Sequence, residues 1–307
     1  MVKSNLSVLG RVLKVAIVLF AAVMLFFALR KFFADEQAIL LFSTQAKQHP
    51  LWLTFVVLLI PMNWFLETAK WKKLIAVSET ISWKDAWSGV LAGLAIGSAT
   101  PNRIGEFAGR VFQLKKTSLL EGMSFTFISS FMQVGVTVLA GVGAILFTDV
   151  GNLIHISKTR EWLLILTVFA LTIGAILFVI TKYKRYFITV RSVDWKLLFV
   201  VFGISALRYS VYATQFFIML IICGVESPAT TIFAAIAVNY LVVSVVPSVM
   251  ITELFVRGTI ASGVIGVCGN PEAAALAAVI IWLVNVGFPA LCGMFFIRNL
   301  TFFRKRE

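Results

Sequence analysis

The chain has 307 residues, 60% of them hydrophobic and 13% charged, with a formal net charge of +13. Soluble domains average about 45–50% apolar and roughly 25% charged residues, so this composition excludes an ordinary soluble domain and indicates an all-α polytopic membrane protein. The basic residues cluster at the ends of apolar runs, which points to lipid headgroups and not to nucleic acid.

The N-terminal "MVKSNLSVLGRVLKVAIVLFAAVMLFFALRKFF" imitates a signal peptide. Its apolar stretch is too long, and Arg30-Lys31 follows where a small-residue cleavage site would stand. It reads as a retained extra span at 12–33. Further full spans are expected at 51–69, 119–147, 161–181, 195–223 and 272–298, making six. The stretches 83–115 and 229–266 are apolar but interrupted by Thr100-Pro101-Asn102 and by Pro247-Ser248. Proline removes a backbone donor and clashes with the preceding turn. Each stretch therefore reads as two short helices with a bend, expected as a re-entrant hairpin; four fully crossing arms would leave the parity of the layout unchanged. With the N-terminus inside, the inner segments hold 18 basic residues and the outer ones 5, which favours an N-in/C-in layout.

"SATPNRIGEFAGR" at 98–110 and "SVVPSVMITELFVR" at 244–257 share S-x-x-P followed by E-x-x-x-R. A weaker echo sets "WLTFVVL" from Trp52 beside "WKLLFVVF" from Trp195. Two repeats result, 51–147 and 195–298, each span, broken hairpin, span, within a single transmembrane domain covering 1–307. The linking span 161–181 turns the second repeat upside down. Inverted repeats with discontinuous helices place a binding site near the midplane.

Ionisable residues at membrane depth are rare and mark functional sites by default. Glu106/Arg110 and Glu253/Arg257 stand at i,i+4 on helical faces, so each pair either neutralises itself as a staple or lines a shared polar cavity. Arg208, with no acid within a helical turn, needs a tertiary partner, for which Glu253 or Glu106 is the candidate. Arginine forks onto phosphate or carboxylate, which makes Arg103, Arg110, Arg208 and Arg257 candidates for binding an anion, with Glu106 and Glu253 beside them. Pro101, Gly105 and Pro247 are the candidate hinges. If Glu106 and Glu253 met, like charge would raise one pKa and let them share a proton. Asn63, Gln133, Asn239 and Asn285 fit inter-helix hydrogen bonding, and Glu67, near the end of its span, fits snorkelling with Lys70. Both histidines fall in loops, no C-x-x-C pair occurs and no phosphate-binding lysine loop is present. No metal, no cofactor, no nucleotide and no catalytic role is therefore expected.

"TPNRIGEFAGR" together with "VPSVMITELFVR" resembles the lysylphosphatidylglycerol synthase transmembrane family, whose first hairpin follows T-P-G-R-x-G-E. Asn102 stands at the glycine position. The resemblance covers about 10–300 and carries onto Pro101, Arg103, Gly105, Glu106, Arg110 and Glu253. It implies a stand-alone flippase-like region without the soluble synthase domain, working beside a separate lipid-modifying transferase in the bacterial cytoplasmic membrane. The expected activity is translocation, by a flippase or scramblase mechanism, of an anionic or headgroup-modified phospholipid or of a polyprenyl-linked lipid. An ion-coupled transporter of a small anionic solute is the alternative.

Overall fold

The computed structural model describes residues 36–98, 100, 103–149, 193–246 and 250–297, with scattered helical positions between 12 and 30. Pro101, Pro247, the expected span 161–181 and most of 12–33 lie outside the described residues. No strand occurs among the described residues. In chain order the helices are α1 (Glu36–Gln48), α2 (Pro50–Ile75), α3 (Trp83–Ser98), α4 (Ile104–Val111), α5 (Leu119–Phe147) and α6 (Trp195–Ile222). They continue with α7 (Ala229–Val245), α8 (Met250–Val264), α9 (Pro271–Trp282) and α10 (Phe288–Ile297). A five-residue π-helical turn, Leu283–Gly287, joins α9 to α10 into one rod.

Among the described residues, four helical rods are long and apolar enough to cross a membrane: α2, α5, α6 and the joined α9–α10. Their starts carry local stop signals. Ser118, Asp194 and Asn270 accept hydrogen bonds from the first free amides of α5, α6 and α9, and proline opens α2 and α9. Gly224, at φ 87°, ends α6 in a left-handed turn that a side chain would strain. Two features depart from the sequence reading. Residues 36–48, outside every expected span, form α1. The span expected to stop at residue 69 runs on as helix to Ile75, burying Lys70 and Trp71.

Both interrupted stretches fold as paired short helices. The α3 and α4 arms pack closely, with Gly89, Gly93 and Gly97 of α3 against Arg110, Glu106 and Arg103, and Gly105 and Gly109 of α4 against Ile96 and Gly93. A Cβ on Gly109 would lie 2.8 Å from Gly93 Cα, so the backbones meet without side chains between them. The ends of this unit lie together. The Glu79 carboxylate, in the loop before α3, accepts from the backbone amides of Lys115, Lys116 and Thr117 in the loop after α4, at 2.7–3.1 Å. Burial works to raise the Glu79 pKa, but these bonds outweigh it and hold the carboxyl below its usual value. The ends of the α7–α8 unit also meet, with Gly269 against the backbone of Glu226.

Each short unit leans on a rod from the other half of the chain. The α3 helix packs on α10, and α7 packs on α5. A glycine opens each crossing: Gly293 of α10 lies directly against the Leu91 carbonyl, and a Cβ at Gly141 of α5 would lie 2.6 Å from Leu241 Cβ. Gly141 and Gly293 each stand twenty-two residues after the start of their rods. The rods α2 and α6 pack against each other through the centre.

Candidate functional site

Each of the four rods carries one polar side chain within a residue of its midpoint: Asn63, Gln133, Arg208 and Asn285. They are joined in a chain. Asn63 Nδ2 donates to Asn285 Oδ1 at 2.6 Å, Arg208 Nε donates to Asn63 Oδ1 at 2.7 Å, and Arg208 Nη1 reaches Gln133 Oε1 at 3.5 Å. Asn285 sits in the π-helical turn, a distortion that is frequent at functional sites. One hydrogen-bonded belt thus crosses all four rods at mid-length.

Glu67, one turn from Asn63, gathers three bases. Its Oε1 meets Arg110 Nη1 at 2.7 Å, and its Oε2 meets Arg208 Nη1 at 2.8 Å and Lys70 Nζ at 3.0 Å. Arg110 also ion-pairs with Glu106. Lys70 and Arg110 are 1% and 3% exposed at their side chains, so this cluster is sealed. A second cluster is more open. Glu253 Oε1 accepts from Arg257 Nε and Nη2 at 3.0 and 2.8 Å, and its Oε2 accepts from Arg103 Nη2 at 3.3 Å. Arg103 belongs to the first short unit and Glu253 to the second, so this bond ties the two units together. Arg103 holds φ 56°, the left-handed region, which for a residue with a Cβ costs roughly 1–2 kcal/mol. Such strain persists where the surroundings over-determine the position.

Between the clusters lies a cavity of about 270 Å³. Its charged lining is Glu67, Arg103, Arg208 and Arg257, and its neutral polar lining includes Asn63, Tyr212, Asn239, Tyr240 and Ser244. Apolar side chains such as Leu94, Val243 and Ile281 complete the wall. Tyr212 and Tyr240 stand edge to face with centroids 4.8 Å apart. No group of three or more His, Cys, Asp or Glu side chains placed to hold a metal occurs among the described residues.

Several sequence expectations meet their geometry here. Arg103, Glu106, Arg110, Arg208, Glu253 and Arg257 all lie in the two clusters, and both i,i+4 pairs form. Arg208 does not pair with Glu253 or Glu106. Its partner is Glu67, because α6 crosses α2 at mid-length. Glu67 does not snorkel: α2 extends two turns past it, so it is 6% exposed and bridges Lys70, Arg110 and Arg208. Glu106 and Glu253 each face arginines and not one another, which removes the shared proton. Gly105 acts as a packing contact against Ile96 and Thr100, whose hydroxyl accepts from its amide.

Glu67 and Lys70 are the residues sequence reasoning missed as site members. The i,i+4 spacing from Asn63 to Glu67 was the available signal. No curated protein matches the chain. The sequence model of one family, described as the lysylphosphatidylglycerol synthase TM region, matches residues 11–303.

Proposed function

Because the chain belongs to the lysylphosphatidylglycerol synthase transmembrane family, and is on that account and by its apolar rods an integral membrane protein, we propose that it moves a lipid headgroup through its centre, between leaflets. The observation that carries this reading is the mid-length cavity, lined by three arginines and tied across both short units by the Arg103–Glu253 bond. A polar, irregular backbone at membrane depth is tolerated where it lines a watery space.

In this reading the two short units are re-entrant hairpins and the halves are inverted repeats. Supporting it, α4 spans only about 12 Å at 1.5 Å per residue, too short for a ~30 Å hydrocarbon core. The ends of the first unit are bonded to one another through Glu79. The halves exchange their packing, α3 on α10 and α7 on α5. Gln133 and Asn285 each stand fourteen residues into their rods, and Asn63 and Arg208 each stand thirteen into theirs. The termini lie inside in this layout, and the membrane is the bacterial cytoplasmic one. The chain moves lipid without chemistry of its own, and a separate transferase modifies the headgroup. The substrate is an anionic or headgroup-modified phospholipid or a polyprenyl-linked lipid.

The test is reconstitution into vesicles with acyl-chain-labelled lipids and a membrane-impermeant quencher. Protein-dependent loss of inner-leaflet signal supports translocation. Uptake of a small anion with no lipid movement discards it in favour of solute transport.

A further inference from the structure

We propose, on the reading that an anionic group enters the central cavity, that Lys70 is a proton-binding site linked to an anion site at Arg208. A proton on Lys70 and an anion on Arg208 bind together, so that a pH gradient drives the anion's movement.

The geometry is a competition between two bases for the same two oxygens. Glu67 Oε2 stands 3.0 Å from Lys70 Nζ and 2.8 Å from Arg208 Nη1. Gln133 Oε1 accepts from Lys70 Nζ at 3.3 Å and from Arg208 Nη1 at 3.5 Å. The Ser129 carbonyl is the third acceptor around Lys70, at 3.4 Å. An ammonium has three donors to meet three acceptors, whereas a neutral amine turns its lone pair on one of them. With the ammonium in place, Arg208 turns to an anion without leaving Glu67 Oε2 bare. With the neutral amine, Arg208 alone balances that oxygen and is held to it. Arg110 stays outside the exchange, paired with Glu67 Oε1 and with Glu106.

Charge counting leads to the same linkage. The charged groups around Lys70 are Glu67 on its own helix, Arg208 from α6 and Arg110 from α4, which also carries Glu106. The α5 helix brings the Ser129 carbonyl and Gln133. Three bases thus oppose two acids. A neutral Lys70 balances the set, and so does a charged Lys70 with one anion bound. A proton without the anion, or the anion without the proton, leaves one unbalanced charge where screening is weak. The second cluster, Arg103 and Arg257 around Glu253, keeps one positive charge in excess through either change. It draws an anion at every neutral or alkaline pH and adds nothing to the linkage. By reciprocity, the anion favours the proton as strongly as the proton favours the anion.

Only the lysine serves as the switch. Arginine stays charged at every pH a cell meets, and lysine is the base that sheds a proton. On shedding, Nζ keeps the electron pair and the proton passes to water. The way out is the cavity, lined by Gln133, which touches Lys70, and by Tyr212, whose hydroxyl accepts from Gln133 Nε2 at 3.4 Å.

The test begins on the unaltered protein in detergent. The probe is dihexanoyl phosphatidylglycerol, whose phosphodiester keeps one negative charge throughout the range used. Calorimetry between about pH 7 and 9.5, in buffers of differing ionisation enthalpy, counts the protons exchanged on binding. Binding should take up protons, and affinity should fall at least fivefold as pH rises across that range. Binding with no proton uptake and a flat pH profile overturns the linkage and leaves the headgroup reading standing, whereas no binding at any pH overturns both. Lys70→Arg, which cannot shed its charge, should bind with a flat profile and no uptake. Lys70→Met should bind weakly, also with a flat profile. Uptake that persists in either variant places the proton elsewhere and sinks the assignment. In vesicles, an acid-outside gradient should speed inward movement of the labelled lipid several-fold, and indifference to the gradient removes the coupling.

Discussion

The two E-x-x-x-R segments share a sequence pattern and an internal ion pair, yet they occupy opposite surroundings. In α4, Arg110 is 3% exposed, wedged over Gly93 and bonded to Glu67 of α2 as well as to Glu106. In α8, Arg257 is 25% exposed and opens onto the cavity. The cause is packing. The α3–α4 contact is a glycine seam with almost no side chain between backbones, and α4 is pressed into the bundle. The α8 helix leans mainly on α9, and its Gly258 has only ordinary contacts, Val279 at 3.6 Å being the nearest. One copy of the motif is buried as an ion-pair staple and the other lines the cavity. A repeated motif thus supplies geometry, while the helix it packs on supplies the role.

The strongest way to break this comparison is to truncate both arginines. Arg110→Ala leaves Glu67 and Glu106 buried with less compensation, and breaking a buried pair costs about 3–5 kcal/mol. The variant should fail to accumulate as a folded monodisperse protein in detergent. Arg257→Ala removes an i,i+4 pair whose arginine is a quarter exposed and leaves the buried Glu253 its bond to Arg103, so it should cost less than opening the sealed cluster. It should melt between Arg110→Ala and the parent while lipid movement falls at least tenfold. If both arginines cost the same stability, the staple and cavity-lining roles are not divided between the two short units.

A smaller effect sharpens the packing side. An added Cβ at Gly93 would sit 2.7 Å from Arg110 Cγ and 3.1 Å from the Glu106 carbonyl. Gly93→Ala should lower stability by about 1–3 kcal/mol through overpacking. Gly258→Ala meets no such wall and should be neutral, or stabilising by about 0.5–1 kcal/mol, since alanine is the better helix residue. Thermal unfolding of the two variants in one detergent checks both.

What the sequence allowed and what it withheld divide along the same line. The rods at 119–147 and 195–222 were legible to within a residue, because an apolar run flanked by caps determines its own ends. The clustered arginines were legible because charge inside such runs is rare. Glu67 was not, because its standing depends on how far α2 continues, and "LETAKWKKL" reads as an interface when hydropathy alone is weighed. Burial of Lys70 and Trp71 is a tertiary result, set by α5 and the α3–α4 unit packing over that turn. The glycines at 89, 93, 97, 105 and 109 carried a readable four-residue spacing. Their meaning required knowing that the two arms face each other.

A last effect, confined to one loop, concerns how the two units are closed at their ends. The α3–α4 unit is clamped by a carboxylate, Glu79, against three consecutive backbone amides and the Thr117 hydroxyl. The α7–α8 unit is closed by backbone contact at Gly269 and by no such ionised clamp among the described residues. Acid should therefore loosen the first unit and spare the second. The folded pKa of Glu79 lies below its ordinary 4.5. Its contribution is thus complete above pH 4.5 and is lost as pH falls through the lower folded value. Glu79→Gln should cost about 1–3 kcal/mol at pH 7, the range for a charged buried hydrogen-bonding group, and much less near pH 3. Melting curves of parent and variant at pH 7 and pH 3 read the difference directly. A gap that persists unchanged in acid would show that the Glu79 side chain holds the loop by its hydrogen bonds and not by the carboxylate charge.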